Sequence, residues 1–208
     1  TKNILKNHGV NLAKGIYFQN NDFESTYKIL MDFHIEIGNI IIKPSESGSS
    51  FGLYFIKNTT DVKTVSLAIT NSPYSKYIAE ELIVGRELTV GVIKNPKETI
   101  ALVPTEIVID QNRTFDYQGK YLGLGTKEIT PAQLTNSELK LAKDLAFNAH
   151  EILGCYGYSR TDMILTSDKM VFLETNTLPG LTKSSLLPQQ LDACLLYTSP
   201  SPRDRQKS

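Results

Sequence analysis

The sequence YSRTDM at residues 158–163, followed by FLETN at residues 172–176, decides how this chain folds. Each stretch places two polar residues two positions apart, Arg160 with Asp162 and Glu174 with Asn176. Because side chains alternate along a β-strand, both members of each pair lie on one face. Residues 166–169 (TSDK), between the two stretches, are typical of a hairpin turn. We therefore predict a β-hairpin with one polar face.

The register of this hairpin predicts a possible metal site. If the hairpin is centred near Asp168, Asp162 lies opposite Glu174 and Arg160 lies opposite Asn176. Two carboxylates and an amide oxygen so close together suit Mg²⁺, which takes few protein ligands and leaves room for phosphates. Two facing carboxylates also repel each other unless a cation lies between them. The hairpin alone leaves an alternative open, a solvated sheet face that carries an ordinary Asp–Arg pair.

The composition narrows the classes of function. The chain has 208 residues with 22 Lys plus Arg and 22 Asp plus Glu, so no net charge favours nucleic acid or an anionic membrane as a partner. No apolar run approaches the roughly 18 residues that a membrane span needs. Cysteine occurs only at Cys155 and Cys194, which fits a reducing compartment. We expect a cytoplasmic protein.

Both ends of the chain look truncated. It opens at Thr1 without methionine, inside what reads as a folded segment, so we expect that an upstream part is missing. Residues 194–204 (CLLYTSPSPRD) resemble the translation of a transposase adapter used to build sequencing libraries. A natural flexible tail rich in Ser and Pro is the alternative. We predict that residues 194–208 are not native and that the fold ends near Ala193.

Hydrophobic periodicity predicts an α+β fold built on mostly antiparallel sheets. A helix over Phe23–Ile37 follows the capping residue Asp22, and a second clear helix over residues 136–153 ends at Gly154. A third helix is expected over 60–70, opened by Thr60-Asp61. Residues 115–130 show little periodicity and predict a long functional loop. Strands are expected, besides the hairpin, over residues 39–43, 53–57, 77–82, 87–93 and 99–103.

A second informative segment is KPSESGSSFG at residues 43–52. Lys43 leaves the end of a buried strand and precedes a Gly/Ser loop whose backbone N–H groups could cradle phosphate oxygens. The segment is not a Walker loop, since the lysine comes before the glycines and a strand follows. Taken alone, it also fits an ordinary hairpin connection.

Five motifs taken together resemble the D-alanine–D-alanine ligases of the ATP-grasp superfamily. The resemblance spans almost all of residues 1–193, with the motifs in the order of that family and at plausible spacings. It implies two α+β subdomains over residues 1–82 and 83–193 that enclose ATP. The motifs are Lys43-Pro-Ser-x-x-Gly-Ser-Ser-x-Gly52, Glu80 followed by Glu87-Leu-Thr-Val90, Lys120-Tyr121, Arg160-x-Asp162 and Glu174-x-Asn176-x-x-Pro-Gly180.

The resemblance also implies roles for individual residues. Lys43 is expected on the α- and β-phosphates, with Ser49 and Ser50 in a loop over the phosphates and substrate. Asp162, Glu174 and Asn176 are expected to hold two Mg²⁺ ions, for which Mn²⁺ could substitute. The remaining nucleotide residues implied are Glu80, Glu81, Leu82 and Ile83 against the adenine, Glu87 on the ribose hydroxyls, and Lys120 in a mobile loop. Arg160, Ser49 and Tyr121 are implied as catalytic residues, and Arg160, Gly180, Ser185 and Leu186 as the site of the second D-alanine.

The implied reaction joins two D-alanines for the cell wall through an acyl phosphate, at the expense of ATP. It needs no enzyme nucleophile, and the implied partners are small molecules within a parent homodimer. Tyr121 favours D-alanine over D-lactate as the second substrate by the same resemblance. Two alternatives stay open: another ATP-grasp carboxylate–amine ligase, or a nucleotide-binding module without turnover.

Overall fold

A computed structural model describes residues 1–46, 52–109 and 126–194 of the chain. The contacts divide it into two compact units, one formed by Ala13–Ile83 and the other by Thr1–Leu12 together with Val84–Ser208. Of the helices in these described residues, none is both long enough and apolar enough to cross a membrane.

The smaller unit, Ala13–Ile83, is a four-stranded antiparallel sheet with two helices. The strand order is β1-β4-β2-β3, so the β2–β4 pairing forms the middle of the sheet. Its elements are β1 (Gly15–Gln19), α2 (Phe23–Ile37), β2 (Ile40–Pro44), β3 (Tyr54–Ile56), α3 (Thr59–Thr70) and β4 (Lys76–Glu81).

Local capping chemistry sets the two helices of this unit. Asp22 accepts a hydrogen bond from the Ser25 N–H at 2.8 Å, and the predicted helix Phe23–Ile37 is confirmed. The predicted cap of α3 at Thr60-Asp61 is wrong. Asn58 caps the helix instead, because its side chain accepts from the Asp61 N–H while the Asp61 carboxylate accepts from the Asn58 N–H.

The sheet of the smaller unit has one apolar face and one mixed face. Ile40 and Ile42 are fully buried in the core together with residues of α2 and α3. Because side chains alternate along a strand, Lys43 on β2 and Glu80 on β4 belong to the opposite face. The predicted buried strand before the Gly/Ser-rich segment is therefore confirmed, with Lys43 on the face away from the core.

The larger unit contains a six-stranded antiparallel sheet with the order β10-β9-β5-β7-β8, in which β6 also pairs with β5. Helix α4 packs on one face, where Ala142 and Ala146 are buried with Leu88 and Met163. Its elements are α1 (Lys2–Asn7), β5 (Arg86–Lys94), β6 (Thr99–Ala101), β7 (Thr105–Ile109), β8 (Thr126–Ile129), α4 (Asn136–Ile152), β9 (Tyr158–Leu165), β10 (Met170–Asn176) and α5 (Leu186–Ala193).

The N-terminal helix belongs to this larger unit, whereas the sequence predicted a first subdomain over residues 1–82. The difference has a simple cause: Leu5 of α1 is fully buried against Ala149 of α4 and Phe172 of β10. Burying one leucine side chain stabilises such a contact by roughly 2 kcal/mol. At its C-terminal end, the smaller unit stops at Ile83, and the larger unit resumes at Val84.

Several elements escaped the sequence prediction. The loop expected over residues 115–130 is wrong at its end, because Thr126–Ile129 forms β8 and pairs with β7. Strands β1 and β7 were also missed, since short strands depend on their neighbours more than on their own residues. Cys194, in the tail predicted to be foreign, ends α5, and its Sγ accepts a hydrogen bond from the Val103 N–H at 3.3 Å.

Candidate active site

Strands β9 and β10 form the predicted hairpin. Asp162 pairs with Glu174 and Arg160 pairs with Asn176, so both predicted pairings are confirmed. On β9, Thr161 and Met163 are buried under α4, which leaves Arg160 and Asp162 on the other face of the sheet. The strand periodicity thus separates the core from a polar patch.

A β-bulge makes these pairings possible. Next to the turn, Met163 pairs with Phe172, and the register shifts between Phe172 and Glu174. Without the shift, Asp162 would lie opposite Leu173 and not opposite Glu174. The bulge is therefore the feature that sets the two carboxylates against each other, in keeping with the frequent position of bulges beside functional sites.

The Asp162 carboxylate accepts three hydrogen bonds. Arg160 donates through Nε to Oδ1 and through Nη2 to Oδ2, both at 2.9 Å. Thr89, opposite Asp162 on β5, donates its hydroxyl to Oδ1 at 2.5 Å. The side chains of Arg160 and Asp162 are 19% and 17% exposed, so this bidentate pair is well shielded from water.

Electrostatics keep Arg160 positively charged. The hydrogen bonds to Asp162 raise the pKa of its guanidinium above the ordinary value, against the opposing effect of burial. The negative charges of Asp162, Glu174 and Glu128 act in the same direction. Arg160 is therefore a permanent cation among three carboxylates.

The oxygen donors of this patch fit a hard cation. Asp162 Oδ2 accepts one hydrogen bond, and Asn176 Oδ1 accepts one, from the Leu178 N–H at 3.0 Å. Each of these oxygens therefore keeps a lone pair, and Glu174 is exposed. Two carboxylates and one amide match the sparse protein ligation of Mg²⁺. Within the described ranges, no cluster of three or more His, Cys, Asp or Glu side chains is arranged as a metal site. The predicted set contains only two side chains of these types, Asp162 and Glu174, and its third member is Asn176.

The residues expected around the second substrate lie together in one segment. A Cβ atom at Gly180 would be only 2.7 Å from Ser185 Oγ, so the absence of a side chain there permits the close approach. Ser185 Oγ also lies 2.8 Å from Thr182 Oγ1, and the Ser185 N–H donates to the Thr182 carbonyl at 2.8 Å. Leu186 then begins α5. The segment is a compact turn that leads into a helix.

The smaller unit brings together two of the expected nucleotide residues. Lys43 Nζ lies 3.5 Å from Glu80 Oε2, with the lysine side chain 35% exposed and the glutamate only 8% exposed. Gly15 pairs with Glu80, and a Cβ atom there would lie 3.0 Å from Glu80 Cγ. Gly15 thus makes room for the Glu80 side chain.

The remaining expected residues are distributed as follows. The Glu81 and Leu82 N–H groups donate within the smaller unit, to the carbonyls of Lys14 and Asn39, and Ile83 ends that unit half-buried. Glu87 lies in the larger unit, on the same face of β5 as Thr89. The predictions for Ser49, Ser50, Lys120 and Tyr121 lie outside the residues that the structure describes.

Two residues that support this patch were given no role from the sequence: Thr89, which lies inside the quoted motif Glu87-Leu-Thr-Val90, and Gln190. Thr89 had a readable signal, because it lies two positions after Glu87 on a predicted strand and so shares its face. Gln190 on α5 is fully buried and bonds to β5 about a hundred positions earlier in the chain. No local pattern indicates a contact of that kind.

Residues 4–195 match the family described as the D-ala D-ala ligase C-terminus. The chain belongs to this family. The match covers both units and ends within two residues of Ala193.

Individual members of the D-Ala-D-Ala ligase family agree with this assignment. A D-alanine–D-alanine ligase from Leptospira interrogans is 42% identical over 156 residues, which are 73% of this chain and 44% of that relative. D-alanyl-alanine synthetase A from Vibrio cholerae has a TM-score of 0.79 at 21% identity, covering 92% of this chain and 58% of that one. A D-alanine–D-alanine ligase from Bacillus anthracis, solved with ATP, has a TM-score of 0.71 at 21% identity, covering 94% and 59%.

These likenesses confirm the predicted α+β fold of the ATP-grasp type. The chain spans about half the length of the curated relatives that it matches.

Proposed function

We propose that the protein containing this chain joins two molecules of D-alanine at the expense of ATP. The carrying observation is the polar patch on β9 and β10, where Asp162 faces Glu174 beside Arg160, within a chain of the D-Ala-D-Ala ligase family. In the proposed reaction, a carboxylate oxygen of the first D-alanine attacks the γ-phosphorus of ATP and ADP leaves. The amine of the second D-alanine then attacks the acyl carbon, and phosphate leaves.

Nucleotide binding is proposed for Lys43 and for the segment at the end of β4, Glu80, Glu81, Leu82 and Ile83, together with Ser50, Glu87 and Lys120. The Lys43 ammonium is suited to phosphate because it is a compact charge, held at one side by the buried Glu80 carboxylate. The ATP-bound structure of the Bacillus anthracis relative supports this proposal, since this chain has the same fold.

Asp162, Glu174 and Asn176 are proposed to hold two Mg²⁺ ions, which Mn²⁺ could replace. When bound, the ions supply positive charge to the phosphate oxygens. Arg160 would stabilise the oxyanion of the tetrahedral intermediate, because its guanidinium is a permanent cation fixed in direction by Asp162. Ser49 and Tyr121 are proposed as further catalytic residues.

The second D-alanine is proposed to bind at Gly180, Ser185 and Leu186 beside Arg160. The compact turn supports this role, since it presents the Ser185 hydroxyl at the start of α5. A small amino acid suits such a site because a hydroxyl and a guanidinium can both bind its carboxylate. None of these groups acts as a nucleophile on the substrate.

The test is D-alanine-dependent release of phosphate from ATP, measured with a protein that includes the upstream half found in the relatives. We expect D-alanine to stimulate release and D-alanyl-D-alanine to accumulate. Stimulation by another amino acid or carboxylate, and none by D-alanine, would instead support another carboxylate–amine ligase.

A second candidate applies to the 208-residue chain itself: a nucleotide-binding module without turnover. The observation that favours it is that the chain spans about half the length of its relatives. Isothermal titration with ATP and a phosphate-release assay on the same sample separate the two readings. Binding without release supports the module.

We further propose that the longer protein is a cytoplasmic homodimer. Its two ATP-grasp subdomains are proposed to correspond to the two units. Residues 194–208 of the chain are proposed to be a foreign tail. A location in the cytoplasm agrees with the proposed use of ATP. Light scattering of the longer protein tests the dimer, and sequencing the genomic locus past Ala193 tests the tail. A genomic sequence that continues with the same residues 194–208 would refute a foreign origin.

A further inference from the structure

We propose that Thr89 is a positioning residue for the Asp162 carboxylate and that the buried amide of Gln190 fixes the part of β5 that carries Thr89. This inference deepens the proposed function and rests on it, because Asp162 matters as a ligand only if the patch holds a metal. Thr89 and Gln190 themselves touch neither metal nor substrate in this proposal. They act through Asp162.

The first step is the hydrogen bond from Thr89 to Asp162. Thr89 is 2% exposed, and its hydroxyl donates to Asp162 Oδ1 at 2.5 Å from the neighbouring strand. Arg160 also binds this carboxylate, but through a long side chain two residues away on the same strand. Threonine is β-branched and has few χ1 rotamers, so its hydroxyl is the stiffer of the two donors. Thr89 therefore sets the direction of Oδ1, and Oδ2 keeps a lone pair for a cation.

The second step is a gap in the sheet beside Thr89. One edge of β5 has two partner strands in succession. The pairing with β6 stops where Val92 faces Ala101, and the pairing with β7 begins where Thr89 faces Thr105. Among the described strand pairs, neither of these two ladders includes Val90 or Gly91. The connection between the two strands contains Pro104, which has no N–H group to donate. The ladder is therefore incomplete at Gly91, two residues after Thr89: its carbonyl still accepts from the Leu102 N–H at 2.8 Å, but its N–H bonds to a group outside the two strands.

Gln190 of α5 fills that gap. Its Oε1 accepts from the Gly91 N–H at 2.7 Å, and its Nε2 donates to the Thr89 carbonyl at 2.9 Å and to Thr105 Oγ1 at 3.1 Å. The side chain is fully buried, and both ends of its amide are satisfied. A buried amide with all its partners holds one geometry, since any displacement leaves polar atoms unpaired.

Gly91 lets the helix come this close. A Cβ atom at position 91 would lie 2.3 Å from Leu187 Cδ1 and 2.7 Å from Gln190 Oε1. Helix α5 starts at Leu186, directly after Ser185 in the segment proposed for the second D-alanine. The Gln190 amide therefore ties the substrate segment to the strand that orients the proposed metal ligand.

The test uses Mn²⁺ alone as the probe and the 208-residue chain as it exists. Titration is followed by loss of the electron paramagnetic resonance signal of free Mn²⁺. We expect Thr89→Val to weaken Mn²⁺ binding about tenfold, the usual size for loss of a group that orients a ligand. Thr89→Ser keeps the hydroxyl and should restore binding to within about threefold of the unchanged chain, by the same reasoning.

A matched control is Thr161→Val. Thr161 is fully buried on β9 and bonds to Thr175 Oγ1 at 3.0 Å, on the face of the sheet away from Asp162. Thr161→Val loses a buried hydroxyl, as Thr89→Val does, and so shares any general loss of stability. Its Mn²⁺ affinity should nevertheless equal that of the unchanged chain. Equal Mn²⁺ affinities for Thr89→Val and the unchanged chain would overturn the role of Thr89.

Two measurements without metal keep the inference separate from the proposed function. In the unchanged chain, nuclear magnetic resonance should show a slowly exchanging Thr89 hydroxyl proton. In Gln190→Met, the Gly91 amide proton should exchange at least about tenfold faster, because it loses its acceptor. Gln189→Met, on the same helix but outside these bonds, should leave that rate unchanged. A freely exchanging hydroxyl or an unchanged Gly91 rate refutes the inference, whereas failure of the unchanged chain to bind Mn²⁺ counts only against the proposed metal site.

Discussion

Each of the two sheets presents a cation–carboxylate pair on the face away from its core, Arg160–Asp162 in one and Lys43–Glu80 in the other, and these two pairs differ in kind. In the larger unit, Arg160 grips Asp162 through two hydrogen bonds of 2.9 Å, and both side chains are largely buried. In the smaller unit, Lys43 Nζ stays 3.5 Å from Glu80 Oε2, and the lysine is more exposed. The fork of Arg160 fixes a direction, whereas the ammonium of Lys43 supplies charge in a looser position.

This contrast suggests a division of labour. A group that stabilises a developing oxyanion must point at one place, because its effect depends on geometry within fractions of an ångström. A group that binds phosphate oxygens can rely on charge and tolerate movement. The following substitutions test that difference between the two sheets.

The largest effect is expected for Arg160→Lys. Lysine keeps the charge but cannot make the two bonds to Asp162, so the cation loses its direction. We expect kcat for D-alanyl-D-alanine formation to fall about 100-fold, the usual loss for one oxyanion donor, in the longer protein. A kcat within about threefold of the unchanged enzyme would show that charge alone suffices, and it would contradict the proposed need for a fixed direction of the cation.

The second effect compares one glycine in each sheet. Gly91→Ala forces a Cβ atom to within 2.3 Å of Leu187 Cδ1 and 3.0 Å of Leu102 Cδ1, in a packed interior. We expect the free energy of unfolding to drop by about 2 kcal/mol, as for other overpacked cores. Gly15→Ala meets the Ala79 carbonyl and Glu80 Cγ at 3.0 Å, where the glutamate can shift, so its loss should be smaller. Urea denaturation of the 208-residue chain measures both, and equal losses would contradict the comparison.

The third effect concerns Lys43→Met, which keeps the length of the side chain and removes the charge. We expect ATP binding to weaken about tenfold, or about 1.4 kcal/mol, because one exposed cation is lost from the phosphates. Isothermal titration of the 208-residue chain gives the affinity. Lys28→Met on α2, where an exposed lysine pairs with Asp32, is the control and should leave ATP affinity unchanged.

The smallest effect is expected on the core face of β9, away from the charged pair. His150 is fully buried with Nδ1 2.7 Å from Ser159 Oγ, and burial lowers the pKa of its imidazole. The unfolded chain therefore takes up a proton first as pH falls, so stability is kept above about pH 6.5 and decreases below it. Urea midpoints between pH 7.5 and 5.5 should show this decline. His150→Gln should flatten it, and His8→Gln, at an exposed site, should not.

Prediction from sequence succeeded where a local pattern was long or strongly periodic. Helices α2 and α4 were predicted to within one residue at each end, because capping residues and apolar stripes are local features. Strands β1, β7 and β8 were missed although the shorter β3 and β6 were predicted, so length is not the cause. Whether a short segment forms a strand depends on its packing against neighbouring strands.

The hairpin shows both the reach and the limit of this reasoning. Alternation alone put Arg160 and Asp162 on one face, and centring the turn near Asp168 led to the correct partner residues. Yet the turn lies between Leu165 and Met170, and the pairing of Asp162 with Glu174 depends on the bulge before Glu174. A bulge has no reliable signal in the sequence, because its position depends on how both strands pack.

By itself, the sequence determined the family, the helices and the polar residues that share each strand face, because capping and the two-residue period of a strand are local physics. Only the tertiary structure decided which donors surround Asp162, how Gln190 completes the edge of β5, and that the N-terminal helix belongs to the larger unit. Those contacts join residues up to a hundred or more positions apart. They form because buried polar atoms must find partners and apolar side chains must leave water, and no local pattern specifies which partners those are.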